Sequence, residues 1–448
     1  MPIGYAWRAL SFPAFRFLHA GDLHLDSPIT GLATVAPQEV LDVLRAATTD
    51  AWRSIVGIAV DKSVDFVLIA GDVFEVANPT LLGQTRFRDG LADLAAHGIR
   101  SYVVHGNHDP MDGRAWAASL EFPDLVHRFG IAAGESVTFE LDGRPVARIH
   151  GRSYPTAAVS ENYAAGFRAG SDGAFNIGLL HTNVGDRPDH ANYAPCSIED
   201  LRAAGMDYWA LGHIHQPSVL LADPPALYSG IPQGRDPGEL GERGCWLVDV
   251  DESGRVVHRF MPTDHVRWSP LSVDIGELAT DEALRTACRE AIEGSIGNAD
   301  GRSLIIRLRL LGRGPLHASL LRTGYVDDLR TLLNEERSLG VPFAWVESIA
   351  DDTVPEVDID ARRNAQDFVG DFLRTVAEAR RSERTTDPEA HEHWQQLLRE
   401  TVAPLFEQAP RGRRYLVSPT DAELAGGLLD EAESIGLDLL VRDEEGRD

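Results

Sequence analysis

The chain has 448 residues, 43% apolar and 25% charged, a globular composition too long for one ordinary domain. Its net charge of −27 excludes a broadly basic nucleic-acid-binding surface, although screening leaves room for a local one. Cys196, Cys245 and Cys288 lie far apart with no Cys-x-x-Cys pair, which excludes a disulfide framework and a thiolate metal site. No apolar run reaches the roughly 18–20 residues that span a bilayer. Met1–Ala14 has no basic region followed by a long apolar core. The expectation is a cytoplasmic protein with no membrane partner.

Strand and helix signals alternate through the first half. Phe15 to Ala20 reads as a strand, and the stretch Phe17-Leu-His-Ala-Gly-Asp22-Leu-His24-Leu-Asp-Ser-Pro28 ends it in Asp22-x-His24. In extended backbone, residues i and i+2 point to one side, so this spacing would aim a carboxylate and an imidazole at one point. Gln38 to Ser63 has helical periodicity through Leu41, Leu44, Thr48, Ala51, Ile55 and Ile58. Val64 to Ala70 is a buried strand ending in Gly71-Asp72. Asn78-Pro79 reads as an N-cap and first helical position, opening a helix through Leu82, Phe87, Leu91 and Leu94 to Gly98. Ile99 to Val104 is the next strand, followed by His105-Gly-Asn107-His108-Asp109.

Further strands are expected at Val146 to His150, at Ile177 to His181, and at Asp207 to Leu211 before Gly212-His213-Ile-His215. Ser197-x-x-Asp200 carries a helix-capping pattern. Ala226 to Ile231, Gly244 to Val250 and Val256 to Met261 suit a second sheet made of hairpins. The pattern resets near Trp268. Leu271 to Ile275, Asp281 to Ile296, Ser303 to Leu310, Tyr325 to Leu339 and Phe343 to Ile349 read as a small α/β unit. A long amphipathic helix, Ala361 to Arg384, follows with Phe368, Phe372 and Val376 on one face, expected to pack internally. The remainder reads as mostly helical.

Five polar signals thus stand at strand ends: Asp22-x-His24, Gly71-Asp72, Asn107-His108-Asp109, His181 and His213-x-His215. Each alone has an ordinary explanation as a turn or a satisfied core histidine. Their recurrence at the carboxyl ends of strands, where α/β folds place sites, does not. Together they offer oxygen and nitrogen donors without sulfur, a mixture that suits manganese, iron or zinc.

In this order the motifs resemble the signature of the calcineurin-like metallophosphoesterase superfamily. The resemblance covers roughly the first 260 residues. It implies a two-sheet αββα sandwich, with a small α/β cap domain and a C-terminal helical region beyond it. Residues 1–268 would be catalytic, 269–385 the cap ending in a long helix, and 386–448 the helical C-terminal region. It implies two divalent ions, Mn2+ first, with Fe2+ or Zn2+ as alternatives. Asp22, His24 and His215 would hold one ion, Asn107, His181 and His213 the other, and Asp72 would bridge them. His108 would donate a proton to the leaving group, oriented by Glu75 three positions after the bridging aspartate. Asp109 would stand behind the ligands or simply make a turn.

Asp22 to Pro28, Tyr228-Ser-Gly-Ile-Pro-Gln233 and Glu242-Arg-Gly-Cys-Trp-Leu247 further resemble bacterial SbcD- and YhaO-type DNA repair nucleases. That resemblance implies a DNA exonuclease acting with an SbcC-like coiled-coil ATPase, and it leaves a homodimer open. Arg307 and Arg309 lie on one face of an expected strand, and Arg411-Gly-Arg-Arg414 forms another basic cluster. Both are candidate DNA contacts, set against the simpler reading of a solvated surface. Two other functions stay open: a small-molecule or nucleotide phosphodiesterase or phosphatase, and a scaffold subunit for an ATPase with little turnover.

Overall fold

The computed structural model describes residues 13–27, 29, 32, 36–75, 80–113, 116, 121–185, 192–337, 340–356, 359–383, 433 and 435–437. Pro28, Asn78-Pro79, the Arg411–Arg414 cluster and nearly all of the expected C-terminal helical region lie outside them.

In chain order the first part contains β1 (Phe15–Ala20), α1 (Gln38–Asp61), β2 (Phe66–Ala70), α2 (Leu81–Ala96), β3 (Arg100–Val104) and β4 (Val126–Arg128). There follow β5 (Ser136–Leu141), β6 (Arg144–Gly151), β7 (Phe175–His181), α3 (Ile198–Ala203), β8 (Tyr208–Gly212), β9 (Ser218–Ala222) and β10 (Pro225–Tyr228). The hairpin β11 (Gly244–Val250) and β12 (Val256–Pro262) completes this part. One six-stranded sheet has the order β12-β11-β1-β2-β3-β4, the other β5-β6-β7-β8-β10-β9. β1 to β4 are parallel, as are β6, β7, β8 and β10, while β11 runs antiparallel to β1.

Strand pleating sorts the core. Phe15 and Phe17 of β1 join Phe66, Leu68, Tyr102 and, from the other sheet, Ile149, Ile177, Leu179 and Tyr208. Leu18 and Ala20 face the other way, with Val67 and Ile69, onto Trp52, Ile55 and Ala59 of α1 and Phe87 and Leu91 of α2. The second sheet presents Leu180, Trp209 and Leu211 to Leu201 of α3, Tyr163 and Phe167. Both sheets are thus buried on both faces, which explains the continuous apolar runs of their parallel strands. The layering is α-β-β-α, as expected. Phe17 stacks on Phe66 with ring centroids 5.1 Å apart and meets Tyr208 edge-on at 5.2 Å. Removing Phe17 to alanine would cost about 3–5 kcal/mol.

Two local expectations are corrected. The strands after His215 do not form a separate hairpin sheet. β9 and β10 extend the second sheet, whereas β11 and β12 cross to the first, with Phe17 opposite Val248. Helix α2 starts at Leu81, capped by Thr80, whose hydroxyl accepts from Gly83 N at 2.9 Å.

The chain then continues through β13 (Val266–Asp274), α4 (Asp281–Gly297), β14 (Ser303–Arg313), α5 (His317–Leu320), α6 (Tyr325–Glu335), β15 (Ala344–Val354), α7 (Ile359–Arg363) and α8 (Phe368–Glu383). A three-stranded sheet has the order β13-β14-β15. The expected long helix is two helices. Asp367 accepts from Gly370 N at 2.7 Å, so a carboxylate N-cap opens α8 and ends the continuity. The buried stripe of α8 is Val369, Leu373 and Val376, with Phe372 packed beside it, while Phe368 is 74% exposed instead of internal.

By internal contacts the chain divides into two compact units. One comprises residues 1–269, 295–306 and 338–347, the other residues 270–294, 307–337 and 348–448. In the second, Arg285 of α4 pairs with Glu336 at 2.8 Å and Arg337 with Glu293 at 2.8 Å. No helix among the described residues is long and apolar enough to cross a membrane.

Candidate metal centre

The segments after β1 and β2 run side by side. Asp22 N donates to Gly71 O at 2.9 Å, His24 N to Asp72 O at 3.0 Å and Leu25 N to Val73 O at 2.9 Å. This backbone is not extended. Asp22, His24, Asp26 and Asp72 have φ of 51°, 42°, 58° and 52°, and His213 has 100°. The premise of an extended Asp-x-His therefore fails; left-handed turns, not strand alternation, bring the two side chains together. Left-handed backbone at non-glycine residues is costly and persists where surroundings enforce it.

Asp22, buried, accepts from His213 N at 3.1 Å. His24 Nε2 lies 3.3 Å from His215 Nε2 and 3.9 Å from Asp72 Oδ2. The Nδ1 of His215 donates to Glu239 Oε1 at 2.5 Å, which turns the other ring nitrogen, as a lone pair, toward His24. The Nδ1 of His181 donates to Ala70 O at 2.9 Å, leaving Nε2 facing Asn107 Oδ1 at 2.9 Å and Asp72 Oδ2 at 3.3 Å. Ring nitrogens and oxygens thus converge at both points, an arrangement that positive charge between them, a proton or a cation, would satisfy. The His213 ring sits with its centroid 5.1 Å from that of His181 and 5.8 Å from Tyr193. Potential ligand atoms of Asp22, His24 and His215, and of Asp22, Asp72 and His181, lie within 4.8 Å of one another in each group.

The cradle is built for close approach. A Cβ on Gly106 would stand 2.2 Å from Asp72 Oδ1, and one on Gly71 would stand 2.7 Å from His181 Nδ1. Electrostatics agree. Burial pushes the Asp22 carboxyl up to about 6, against the pull of His181 and His215. Burial would depress His181, but Asp72 and Asp22 raise it to about 9. Asp72 is also desolvated, yet His181 and His24 hold it well below the usual carboxylate range. With two carboxylates, an amide oxygen and four imidazoles, the donors fit divalent cations of the manganese, iron and zinc kind.

His108 and Glu75 meet beside these residues. The Nδ1 of His108 donates to Glu75 Oε2 at 2.6 Å, and His108 N donates to Asp72 Oδ1 at 2.9 Å. The other oxygen of Glu75 lies 2.8 Å from His24 Nδ1, off the line of a hydrogen bond. Burial would lower His108, but Glu75 and Asp72 raise it above its ordinary value. Glu75 is desolvated too, and the bond from His108 with the nearness of the His24 ring outweighs that to lower it.

Asp109 is more than a turn. Fully buried, it accepts from Gly106 N at 2.8 Å, Asp72 N at 3.2 Å and Val73 N at 3.1 Å, tying the loops after β2 and β3 together. Asp26 faces away from the centre and accepts from Thr80 Oγ1 at 2.5 Å, Thr49 Oγ1 at 3.3 Å and Arg86 Nη1 at 3.0 Å, bracing α1 and α2.

Arg307 and Arg309 share the exposed face of β14, as expected from the alternation. Arg309 is engaged by Asp352, Nε to Oδ2 at 2.7 Å. Glu239 and Arg235 escaped the sequence reading. They sit in Gly234–Gly241, a polar stretch between the two motifs Tyr228–Gln233 and Glu242–Leu247. Its position between recognisable motifs was the available signal.

The calcineurin-like phosphoesterase family matches residues 15–217, and the middle domain of metallophosphoesterase YhaO matches residues 268–354. An uncharacterized metallophosphoesterase YhaO from Bacillus subtilis is 34% identical over 400 residues, 88% of this chain and 95% of the relative. The SbcD component of the nuclease SbcCD from the same organism is 26% identical, over 52% of this chain and 66% of its own length. The DNA double-strand break repair protein Mre11 of Methanopyrus kandleri is 26% identical, over 64% of this chain and 66% of its own length. With the site's donors in the family's order and a relative this similar along nearly its whole length, the chain belongs to the calcineurin-like metallophosphoesterases.

Proposed function

We propose that this metallophosphoesterase is a two-metal phosphodiester hydrolase acting on DNA, an exonuclease of the repair type working beside an SbcC-like coiled-coil ATPase. The observation that carries the hydrolase reading is the convergence of potential ligand atoms, those of Asp22, His24 and His215 and those of Asp22, Asp72 and His181, with Asn107 Oδ1 beside His181 Nε2. Asp22, His24 and His215 would hold one ion, Asn107, His181 and His213 the other, with Asp72 shared and manganese the preferred metal. When bound, two such ions polarise a phosphate ester and activate water for in-line attack.

The chain's own groups supply the rest. Glu75 holds His108 by Nδ1, which leaves Nε2 to pass a proton to the leaving oxygen. Despite burial, Glu75 and Asp72 raise the affinity of His108 for its proton, which favours the protonated donor. Asp109 fixes the backbone on which Asp72, Asn107 and His108 stand.

DNA as the substrate is supported by the SbcD and Mre11 relatives. The division into a catalytic stretch 1–268, a smaller stretch 269–385 and a C-terminal stretch 386–448 belongs to the same proposal. A small-molecule phosphodiesterase is the second reading. The net charge of −27 and the pairing of Arg309 with Asp352 favour it.

Manganese-supplemented protein should be given duplex DNA, single-stranded DNA and bis-p-nitrophenyl phosphate, beside Asp72→Ala and His108→Ala. Cleavage of DNA lost in both variants is the expected result. Turnover of the small ester alone would overturn the nuclease reading, and no metal-dependent cleavage at all would leave a scaffold. His108→Ala should retain its metal while losing turnover. Loss of metal there would make His108 structural.

A further inference from the structure

Glu239 organises the turn after β10. Its Oε2 accepts from Arg235 N at 2.6 Å and Asp236 N at 3.1 Å, while Oε1 holds His215. Arg243 adds a bond from Nη1 to His215 O at 2.7 Å. The carboxylate that orients one ring of the metal centre therefore also fixes the backbone from which the Arg235 side chain departs.

That side chain is 15% exposed and runs to Glu75, with Nη1 3.4 Å from Oε1. Glu75 is already engaged by His108 and lies against His24. Among the described residues Arg235 has no other ion pair, and its buried Nε has no hydrogen-bond partner. A guanidinium carries five donors in a rigid fork suited to phosphate oxygens. Here the fork is short of acceptors, largely desolvated, and within reach of the groups that flank the candidate metal centre. A buried donor without an acceptor carries a free-energy penalty that an incoming anion relieves.

We infer that Arg235 is a substrate contact whose guanidinium takes a non-bridging oxygen of the scissile phosphate, with Glu75 as its partner when no phosphate is bound. The inference rests on the phosphoesterase reading and names the residue that recognises the anionic group. When Arg235 turns to phosphate, Glu75 is left to His108. Binding the anion and orienting the proton donor are then one event. The competing role is structural: Arg235 only balances the charge of Glu75.

The test uses the manganese-loaded 448-residue chain with Arg235→Met, Arg235→Lys, Glu75→Gln and the Arg235→Met/Glu75→Gln double variant. Manganese content, affinity for inorganic phosphate by calorimetry, and kcat and KM for bis-p-nitrophenyl phosphate are measured. Arg235→Met should keep its manganese and lose about ten-fold or more in phosphate affinity, with Arg235→Lys recovering part of the loss. The loss should persist in the Glu75→Gln background. Phosphate affinity within about two-fold of the parent overturns the inference. So does a loss that vanishes once Glu75 is neutral, or one that follows loss of manganese, since either makes Arg235 structural. A parent protein that binds phosphate but hydrolyses no ester would fault the hydrolase reading, and the binding comparison would still decide the role of Arg235.

Discussion

Glu239→Ala is the substitution from which the structure predicts most. The carboxylate is 13% exposed on its side chain and receives three N–H groups, from His215 Nδ1 and from the backbone of Arg235 and Asp236. Its partners lower it to about 2, below the ordinary 4.5, despite burial: the His215 bond and charge first, then Arg235. Two consequences separate. The first is stability. Bonds to an ionised acceptor are worth about 1.5–3 kcal/mol each, and water replaces part of what is lost at this half-open turn, so the variant should fall by about 2–4 kcal/mol. The second is metal affinity. A partner that orients a metal-ligating histidine typically contributes about 10–100-fold in binding. Manganese calorimetry at neutral pH, with urea unfolding in chelator, measures the two independently. Glu239→Gln retains an acceptor for one donor and should fall between. The sign of the pH effect follows from the lowered carboxyl: its stabilisation is present above 4.5 and is lost as pH falls toward 2, so the alanine variant should lose less stability over that range. Unchanged manganese affinity in a destabilised Glu239→Ala would refute the orienting role, and no change in either quantity would refute the whole account.

Asp109→Ala leaves three buried N–H groups without an acceptor and should cost about 3–5 kcal/mol in urea unfolding; a loss below about 1 kcal/mol would be inconsistent with this. Gly106→Ala brings a Cβ to 2.2 Å from Asp72 Oδ1 and 2.9 Å from the His181 ring. It should abolish manganese binding while far-ultraviolet circular dichroism stays native, and retention of the metal would count against the cradle. His19, buried against Tyr208 OH and Leu211 O, is lowered by burial from 6.5 to about 3. The unfolded chain therefore binds the extra proton between those values, and stability drops as pH falls below 6.5. His19→Gln should flatten that dependence by up to about 1.4 kcal/mol per pH unit; an unchanged slope would contradict the burial argument.

The fold and most of the site could be read before the coordinates, for reasons that differ by element. β2 and β7 are buried on both faces, so their apolar runs are continuous and end visibly at a polar turn. α1 declares itself through Leu44, Thr48, Ala51 and Ile55, all buried on one stripe. The destination of β11 could not be read. Its hairpin with β12 is local, but its pairing with β1 joins Val248 to Phe17, and nothing in either segment specifies the other. The site's polar residues were legible because each terminates a strand. Glu239 and Arg235 were not, because a loop has no periodicity against which a functional carboxylate or guanidinium stands out. The Asp22-x-His24 spacing pointed to two residues that the structure does bring together, but on a wrong geometric premise, since the backbone there is left-handed. Phe368 shows the converse: its helical spacing was right, but the N-cap at Asp367 places it at an exposed helix end.

The pairing of His24 with His215 joins residues 191 positions apart, and Glu239 must close behind His215 before that ring is held. A chain leaving the ribosome carries the first of these donor residues long before their partners exist. Contacts of such sequence separation form late, after the loop between them has been ordered. Fragments ending before His215 would hold at most part of the donor set, those ending before Glu239 would lack the carboxylate that holds the His215 ring, and the centre would be absent from any intermediate in which the two sheets have yet to meet. Hydrolytic competence is therefore a property of the completed fold. Metal uptake followed during refolding would report the docking of one sheet on the other more directly than any measure of secondary structure.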